Sequence, residues 1–469
     1  MDSPKRHQTL KSWIASAAIL GSFLCNGMII SIQANIYDAL VEKSSSLGIS
    51  NSLMSKLINL KDTHMTYYGI LFGIFKLTVF ISSTLFSKYL SSFGVRKVFI
   101  GGLVISSMTI ILGIIAQNKL HSMLGGETLL IILATVRIIG AVGTTIFFGS
   151  SFAIMKELFS KSIGTVFAME QLFLATGILI GQHCSTPIQL LGFALLVFTF
   201  ISSLTLPSFK SFDSLGNLGI PQALKKSQIA LSALSVFSAS IAIRTLHTAA
   251  DRHLTLEINL TAPQIKYFFM MYTLICALVT PFWGFLSDKI DPKFVILLGS
   301  FQTSLGFVLL GPLPPTGLQA SHSLSFVSLL LTGSGIVAQL VSAFKEVQTS
   351  AVANGFPTGL STSFLMASIW TAAFALGAFI GPVTEGILFD HIGFAWSTLF
   401  VVGWNVLVCL CSAQYLPAKL NTRDIRTESD EEKRYLLDRR HIQQKHYENM
   451  LTPLGQSELD CKVSSPLVP

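Results

Sequence analysis

The sequence predicts an all-α polytopic membrane protein with twelve transmembrane helices in two six-helix halves. Three observations predict it. Of the 469 residues, 51% are hydrophobic and only 12% are charged, with a mean hydropathy of +0.62, which excludes an ordinary soluble domain. The apolar residues gather into twelve runs, each near the roughly 20 residues a spanning helix needs. Finally, two sequence features recur at an offset of 200 residues, as expected of a duplicated six-helix unit.

The runs cover 12–36, 67–86, 98–117, 128–153, 163–182, 187–206, 229–249, 264–285, 294–313, 323–343, 363–389 and 396–416. A bilayer core offers backbone groups no water, so each run is expected to be a helix. None alternates as the strands of a membrane barrel do. The first run follows a basic start (Lys5, Arg6, Lys11) but is too long for a signal peptide and lacks a small-x-small cleavage site. It reads as a retained anchor. The Ser-rich loop 38–66 reads as a solvated connection. After the second run, TLFSKYLSSFGVRK (84–97) makes a tight turn with charges at the helix ends, and GFLSDKIDPK (284–293) does the same after the eighth. The second recurring feature is glycine spacing. Gly177 and Gly181 in the fifth run match Gly377 and Gly381 in the eleventh, where Pro382 follows; in the fifth, Gln182 stands instead of proline. Small residues at this spacing let two helix backbones approach closely, and a proline removes a backbone donor.

These features divide the chain into a cytosolic start (1–11), an N-terminal half (12–206), a polar linker (207–228), a C-terminal half (229–416) and a charged tail expected to be disordered (417–469). The net charge is +8, but its basic residues lie at membrane borders, so they set orientation and give no sign of a nucleic-acid partner. Outside the tail, fourteen Lys and Arg fall in the proposed cytosolic segments. Five (Lys43, Lys56, Lys61, Lys119, Arg252) fall opposite, which puts both termini in the cytosol. The six cysteines are scattered, without zinc or disulfide spacing. With no phosphate loop, nucleophile triad or metal cluster, the chain does not read as an enzyme or an ATP-driven pump, and no cofactor or metal is expected. The expected partners are the lipid bilayer, a small solute and protons, with the chain acting as a monomer.

The residues also resemble a known family. Gly284 and Asp288 in the loop after the eighth run resemble the cytoplasmic-loop motif of the major facilitator superfamily. Gly377, Gly381 and Pro382 resemble its antiporter motif, and Arg137 with Gly140 resembles the arginine motif of its fourth span. Closer still, LGPLP (310–314), NGFPTGLST (354–362), IWTAAFALGAFIGP (369–382) and FDHIGFAW (389–396) resemble the vesicular polyamine transporter branch of the vesicular amine transporter family. The resemblance implies the major facilitator fold, alternating access and exchange of an organic cation for protons. There are departures: Lys88 where the superfamily has an aspartate, Gly140 where this branch tends to carry an acid, His247 near another such place, and Gln182 for the motif proline.

Ionisable groups at membrane depth are candidates for function because their burial costs several kcal/mol unless they are paired or hydrated. Lys76 lies mid-span in the second helix, either functional or snorkelling. Arg137 is as deep in the fourth, either facing a cavity or held in an ion pair. Glu170 in the fifth could take and release a proton, or partner Arg137 or Lys76. Arg244 and His247 share one face of the seventh helix, near enough to the outer end to be hydrated. Lys345 and Glu346 end the tenth run, as a cytosolic gate pair or an interfacial pair. Glu385 in the eleventh either loads protons or is solvated near the outer surface. Asn259 heads the sequon Asn-Leu-Thr in an outer loop, a glycosylation candidate or an unmodified turn. In the tail, Glu432 with Leu436 and Leu437 resembles an acidic di-leucine sorting signal, and Tyr447 a tyrosine-based one. Both would dock adaptor proteins and direct the chain to a vesicular or endolysosomal membrane, with the plasma membrane as the alternative.

The first functional expectation is therefore a proton-coupled carrier of a polyamine or monoamine. A second arises from charge counting: Lys76, Arg137 and Arg244 against Glu170 and Glu385 favour an anionic or zwitterionic solute. A third is a receptor-like homologue that moves nothing.

Overall fold

A computed structural model describes residues 11–31, 64–89, 94–115, 126–183, 188–206, 219–312 and 321–415. The tail signals at Glu432, Leu436, Leu437 and Tyr447 lie outside the described residues. Within them, twelve long helices follow in order: α1 (Lys11–Ser31), α2 (His64–Tyr89), α3 (Val95–Ile115), α4 (Gly126–Leu158), α5 (Ile163–His183), α6 (Ile188–Thr205), α7 (Ser227–Leu256), α8 (Ala262–Lys289), α9 (Pro292–Leu310), α10 (His322–Ala353), α11 (Leu360–Ile392) and α12 (Phe394–Ala413). A short helix, Ile220–Leu224, precedes α7. Ten of the twelve are long and apolar enough to cross a membrane, and α2 and α6 carry shorter apolar cores, Phe75–Ser87 and Leu190–Ser202.

Several helices outrun the apolar stretches that announced them. The sequence predicts the tenth span over 323–343, whereas α10 continues to Ala353 and carries Lys345, Glu346, Gln348 and Ser350 on the same helix. Hydropathy marks only the part of a helix that avoids water; polar residues continue the helix beyond it at little cost in propensity. Local chemistry sets other ends. Asp291 caps α9 by accepting the Lys293 N–H, with Pro292 in the first turn. Gly393, at φ +78°, lets α12 start immediately after α11.

The glycines recurring at the 200-residue offset pack equivalent helix pairs. A side chain on Gly177 would collide with the Leu24 carbonyl oxygen of α1, and one on Gly377 with the Phe237 carbonyl oxygen of α7. Thus α5 lies on α1 as α11 lies on α7. The missing proline changes nothing in this packing, since α5 approaches α1 closely without it and α11 runs unbroken through Pro382. Between the halves, α2 packs along α11 and α5 along α8. The short helix packs at the start of α7, and this side of the bundle, which also carries Asp288 and Lys345, is called the linker end below.

Candidate solute site between the halves

The ionisable residues of four helices converge where the two halves meet. Lys76 projects from α2, its Nζ 5.4 Å from the Phe75 ring centroid and 5.6 Å from that of Phe374 on α11. The Arg137 guanidinium of α4 lies 5.1 Å from the same Phe75 ring. Arg244 of α7 acts electrostatically on Lys76 and Arg137, and so belongs to the same cluster. One turn further along α7, His247 stacks on Phe269 at 5.1 Å and meets Tyr272 edge-on at 5.8 Å, both rings coming from α8. The N-terminal half thus contributes Lys76 and Arg137, and the C-terminal half Arg244, His247 and Tyr272.

This cluster is deep but not dry. Lys76, Arg137 and Arg244 keep part of their surface accessible and His247 is exposed, although protein surrounds Lys76, Arg244 and His247. Residues in that condition line a crevice. Arg244 is half-buried and His247, at the end of the apolar span of α7, is exposed. The charges acting on Lys76 are the two arginines. Glu170 is not among them, so pairing of Glu170 with Lys76 is not observed. Its carboxylate is 1% exposed on α5, and its Oε1 accepts no hydrogen bond among the described residues.

Glu385 is fully buried, which removes the reading of a solvated carboxylate near the surface. Its Oε1 accepts the Ser397 hydroxyl of α12 at 2.6 Å, so it stabilises packing within one half. Lys345 and Glu346 have different partners. Glu346 lies 3.4 Å from Lys293 and accepts the Ser350 hydroxyl at 2.6 Å, all within the C-terminal half. Lys345 donates to the Ser287 carbonyl at 2.6 Å and stands 3.6 Å from Asp288.

Asp288 links the halves. Its Oδ1 accepts the Gly164 N–H at 2.9 Å, and its Oδ2 accepts the Thr165 N–H at 2.8 Å and the Thr165 hydroxyl at 2.7 Å. The carboxylate thereby caps the positive end of α5. Gly284 permits the approach, because a side chain there would meet Ala168 Cβ at 2.5 Å. Between this link and the cation cluster lies an aromatic layer from both halves. Phe167 of α5 stacks on Phe344 of α10 at 4.0 Å and 10°, while Phe152 of α4 and Trp370 of α11 meet them edge-on. Trp370 in turn stacks on Phe374 at 5.4 Å and 7°. The linker end is closed and the cleft stops at this layer.

Asn259 is exposed, with φ +58°, just before α8. Among the described residues no group of His, Cys, Asp and Glu is placed to hold a metal ion. Sequence reasoning missed Gly164 and Thr165 as partners of Asp288, and Phe75, Phe374 and Tyr272 as walls of the cleft. A Ser-Ile-Gly-Thr sequence opening a helix is a legible signal for the first pair; aromatic residues inside an apolar run carry none.

Two packed six-helix halves with a polar cluster between them are the architecture of the major facilitator fold. The human organic anion transporter MFSD10 (TETRAN) shares the fold with a TM-score of 0.65 at 13% identity, over 86% of this chain and 99% of that one. FucP in its outward conformation matches with a TM-score of 0.62 at 14% identity, over 86% and 99% of the two chains. The Major Facilitator Superfamily model matches residues 229–452. The chain thus has the major facilitator fold and the helices of a multi-pass membrane protein. In sequence it is similar to the MFS-type transporter SLC18B1, at 25% identity with the human protein over 86% of this chain and 85% of that one. The rat SLC18B1 is 26% identical over 74% of this chain and 78% of its own length.

Proposed function

We propose that the protein is a secondary transporter of an anionic organic solute, working by alternating access, with Lys76, Arg137 and Arg244 as its anion-binding groups. The single observation that supports this most is the sign of the cleft: the charges acting on Lys76 are both positive. Two unit charges 5 Å apart interact by about 3 kcal/mol at an effective dielectric constant of ~20. A cationic solute meets that as repulsion, and an anion as attraction. The proposal takes the linker end as cytosolic, following the distribution of Lys and Arg, and the closed aromatic layer then leaves the cleft facing away from the cytosol.

The sequence supports a second reading, proton-coupled exchange of a polyamine or monoamine across a vesicular or endolysosomal membrane. The SLC18B1 similarity over most of the chain favours it, as does the tail with its two sorting patterns. Glu170, buried and with Oε1 unpartnered among the described residues, is the group that would carry the proton in either case.

The two readings separate in one experiment. Full-length protein in proteoliposomes, under an imposed pH gradient, is offered labelled spermidine with organic carboxylates or amines as competitors. The anion reading expects no spermidine accumulation, uptake of a labelled dicarboxylate, and at least a tenfold loss of that uptake in Lys76→Gln. Spermidine accumulation that survives Lys76→Gln and fails in Glu170→Gln would overturn it in favour of amine exchange.

A further inference from the structure

The walls of the cleft are as distinctive as its charge. Three of the four cationic or ionisable groups on the cleft, Lys76, Arg137 and His247, stand against the face or edge of an aromatic ring. Lys76 lies over Phe75 and Phe374, Arg137 over Phe75, and His247 against Phe269 and Tyr272. The rings come from three helices, α2, α8 and α11, on both sides of the division between halves. Phe374 is itself held flat by Trp370, parallel within 7°, and Trp370 is fixed by its Nε1 donating to the Leu340 carbonyl at 3.1 Å. Phe75, Phe269 and Phe374 all remain partly accessible, whereas rings used only for packing, such as Phe23, Phe99 and Phe147, are fully buried.

Resting on the reading of the cleft as an anion site, we infer that the solute is an organic anion with a flat, aromatic body attached to its carboxylate. The chemistry follows from the pairing of ring and cation. A carboxylate competes with the rings for the Lys76 ammonium and the Arg137 guanidinium, because a charge-assisted hydrogen bond is the stronger contact. As the ammonium turns to the carboxylate, the ring face it rested on becomes available, and a planar solute can stack there in an offset or edge-on arrangement. A small inorganic anion would take the charges and leave three ring faces against water. A saturated solute of equal size would bury the same area but could not lie parallel to them. Phe374 and Phe75 are therefore specificity-determining residues, and Trp370 is a positioning residue that acts through Phe374.

The test is binding to the purified full-length chain at neutral pH, by calorimetry, with 2-naphthoate, decalin-2-carboxylate of the same carbon skeleton, and acetate. The inference expects 2-naphthoate to bind at least tenfold tighter than decalin-2-carboxylate, and acetate to be weakest. In Phe374→Leu that preference should fall to about parity, and in Phe374→Tyr, which keeps a ring, it should persist. Lys76→Gln should weaken all three carboxylates together. Equal binding of the flat and saturated carboxylates, both lost in Lys76→Gln, overturns the aromatic preference and leaves the anion site standing. No carboxylate binding, with 2-naphthylmethylamine binding instead, overturns the anion site and the inference with it.

Discussion

A lysine in mid-membrane needs an offset of several kcal/mol, and Lys76 finds part of it in two ring faces. Elsewhere single residues are buried for packing alone, and a titration can tell the difference. His253 lies beyond the apolar span of α7, which ends at His247. It is 1% exposed, stacked on Phe394 at 4.1 Å and 3.2 Å from Glu257. Burial pulls its pKa below the usual 6.5, against an opposing pull from Glu257. A group more easily protonated in the unfolded chain than in the folded one lowers stability on acidification. The contribution of His253 is therefore fully present above about pH 6.5 and is lost as the pH falls through the lower, folded-state value. The melting temperature in detergent should drop between pH 7.5 and 5.5, and the drop should be smaller in His253→Phe, which keeps the stack with Phe394. An unchanged drop in that variant would assign the acid sensitivity to other groups.

Pairs of helices are held by backbone contact at glycine, and here the sequence was informative for a physical reason. Close approach demands the absence of a side chain, and absence is visible as a glycine at fixed spacing. The echo of Gly177 and Gly181 in Gly377 and Gly381 therefore announced both the α5–α1 and α11–α7 contacts. Overpacking a tight interior costs about 1–3 kcal/mol, more when the obstacle is backbone. Gly177→Val and Gly377→Val should each lower the melting temperature by several degrees and reduce the folded yield. Gly101→Ala, where an added Cβ meets nothing within 4 Å, should leave both unchanged. Equal losses at all three positions would mean that any side chain added on these helices, not the close backbone approach at Gly177 and Gly377, sets the effect, since both replacements raise helix propensity. The cleft was less legible. Hydropathy singles out Lys76, Arg137 and Arg244 one at a time as anomalies, but which anomalies share a space depends on how the two halves pack, over 160 residues of chain apart. Glu385 shows the opposite failure: its place near the end of an apolar run reads as solvated, yet Ser397 of the next helix covers it. The rings of the cleft gave no signal at all, because a phenylalanine in a membrane helix looks the same whether it faces lipid, core or solute.

For the whole molecule, the decisive asymmetry is between two positions 200 residues apart in sequence, Lys88 and Asp288. The last turn of α8 carries Asp288, whose carboxylate takes two backbone N–H groups and one hydroxyl from the start of α5 and so ties the C-terminal half to the N-terminal one. In the last turn of α2 the equivalent position is Lys88, whose side chain has no acceptor oxygen and could not cap a helix start in that way. Another polar link between the halves at the linker end is Lys156 of α4, donating to the Ser363 hydroxyl of α11 at 2.9 Å. Hydrogen bonds to a charged group contribute about 1.5–3 kcal/mol each, so weakening the Asp288 cap should raise the population open at the linker end by roughly 10- to 100-fold, if closure is held mainly there. Asp288→Asn keeps the size and removes the charge. Glu346→Gln removes a buried charge nearby whose partners, Lys293 and Ser350, lie within one half. A cysteine replacing Ser363, in a background without the native cysteines, should react with a soluble maleimide at least tenfold faster when Asp288→Asn is added and at an unchanged rate with Glu346→Gln. Equal acceleration by both would mean that general loosening, not loss of the link between halves, opens the linker end. No acceleration by either would move the closure to the stacked rings of Phe167 and Phe344, where Phe344→Ala is the variant to measure next.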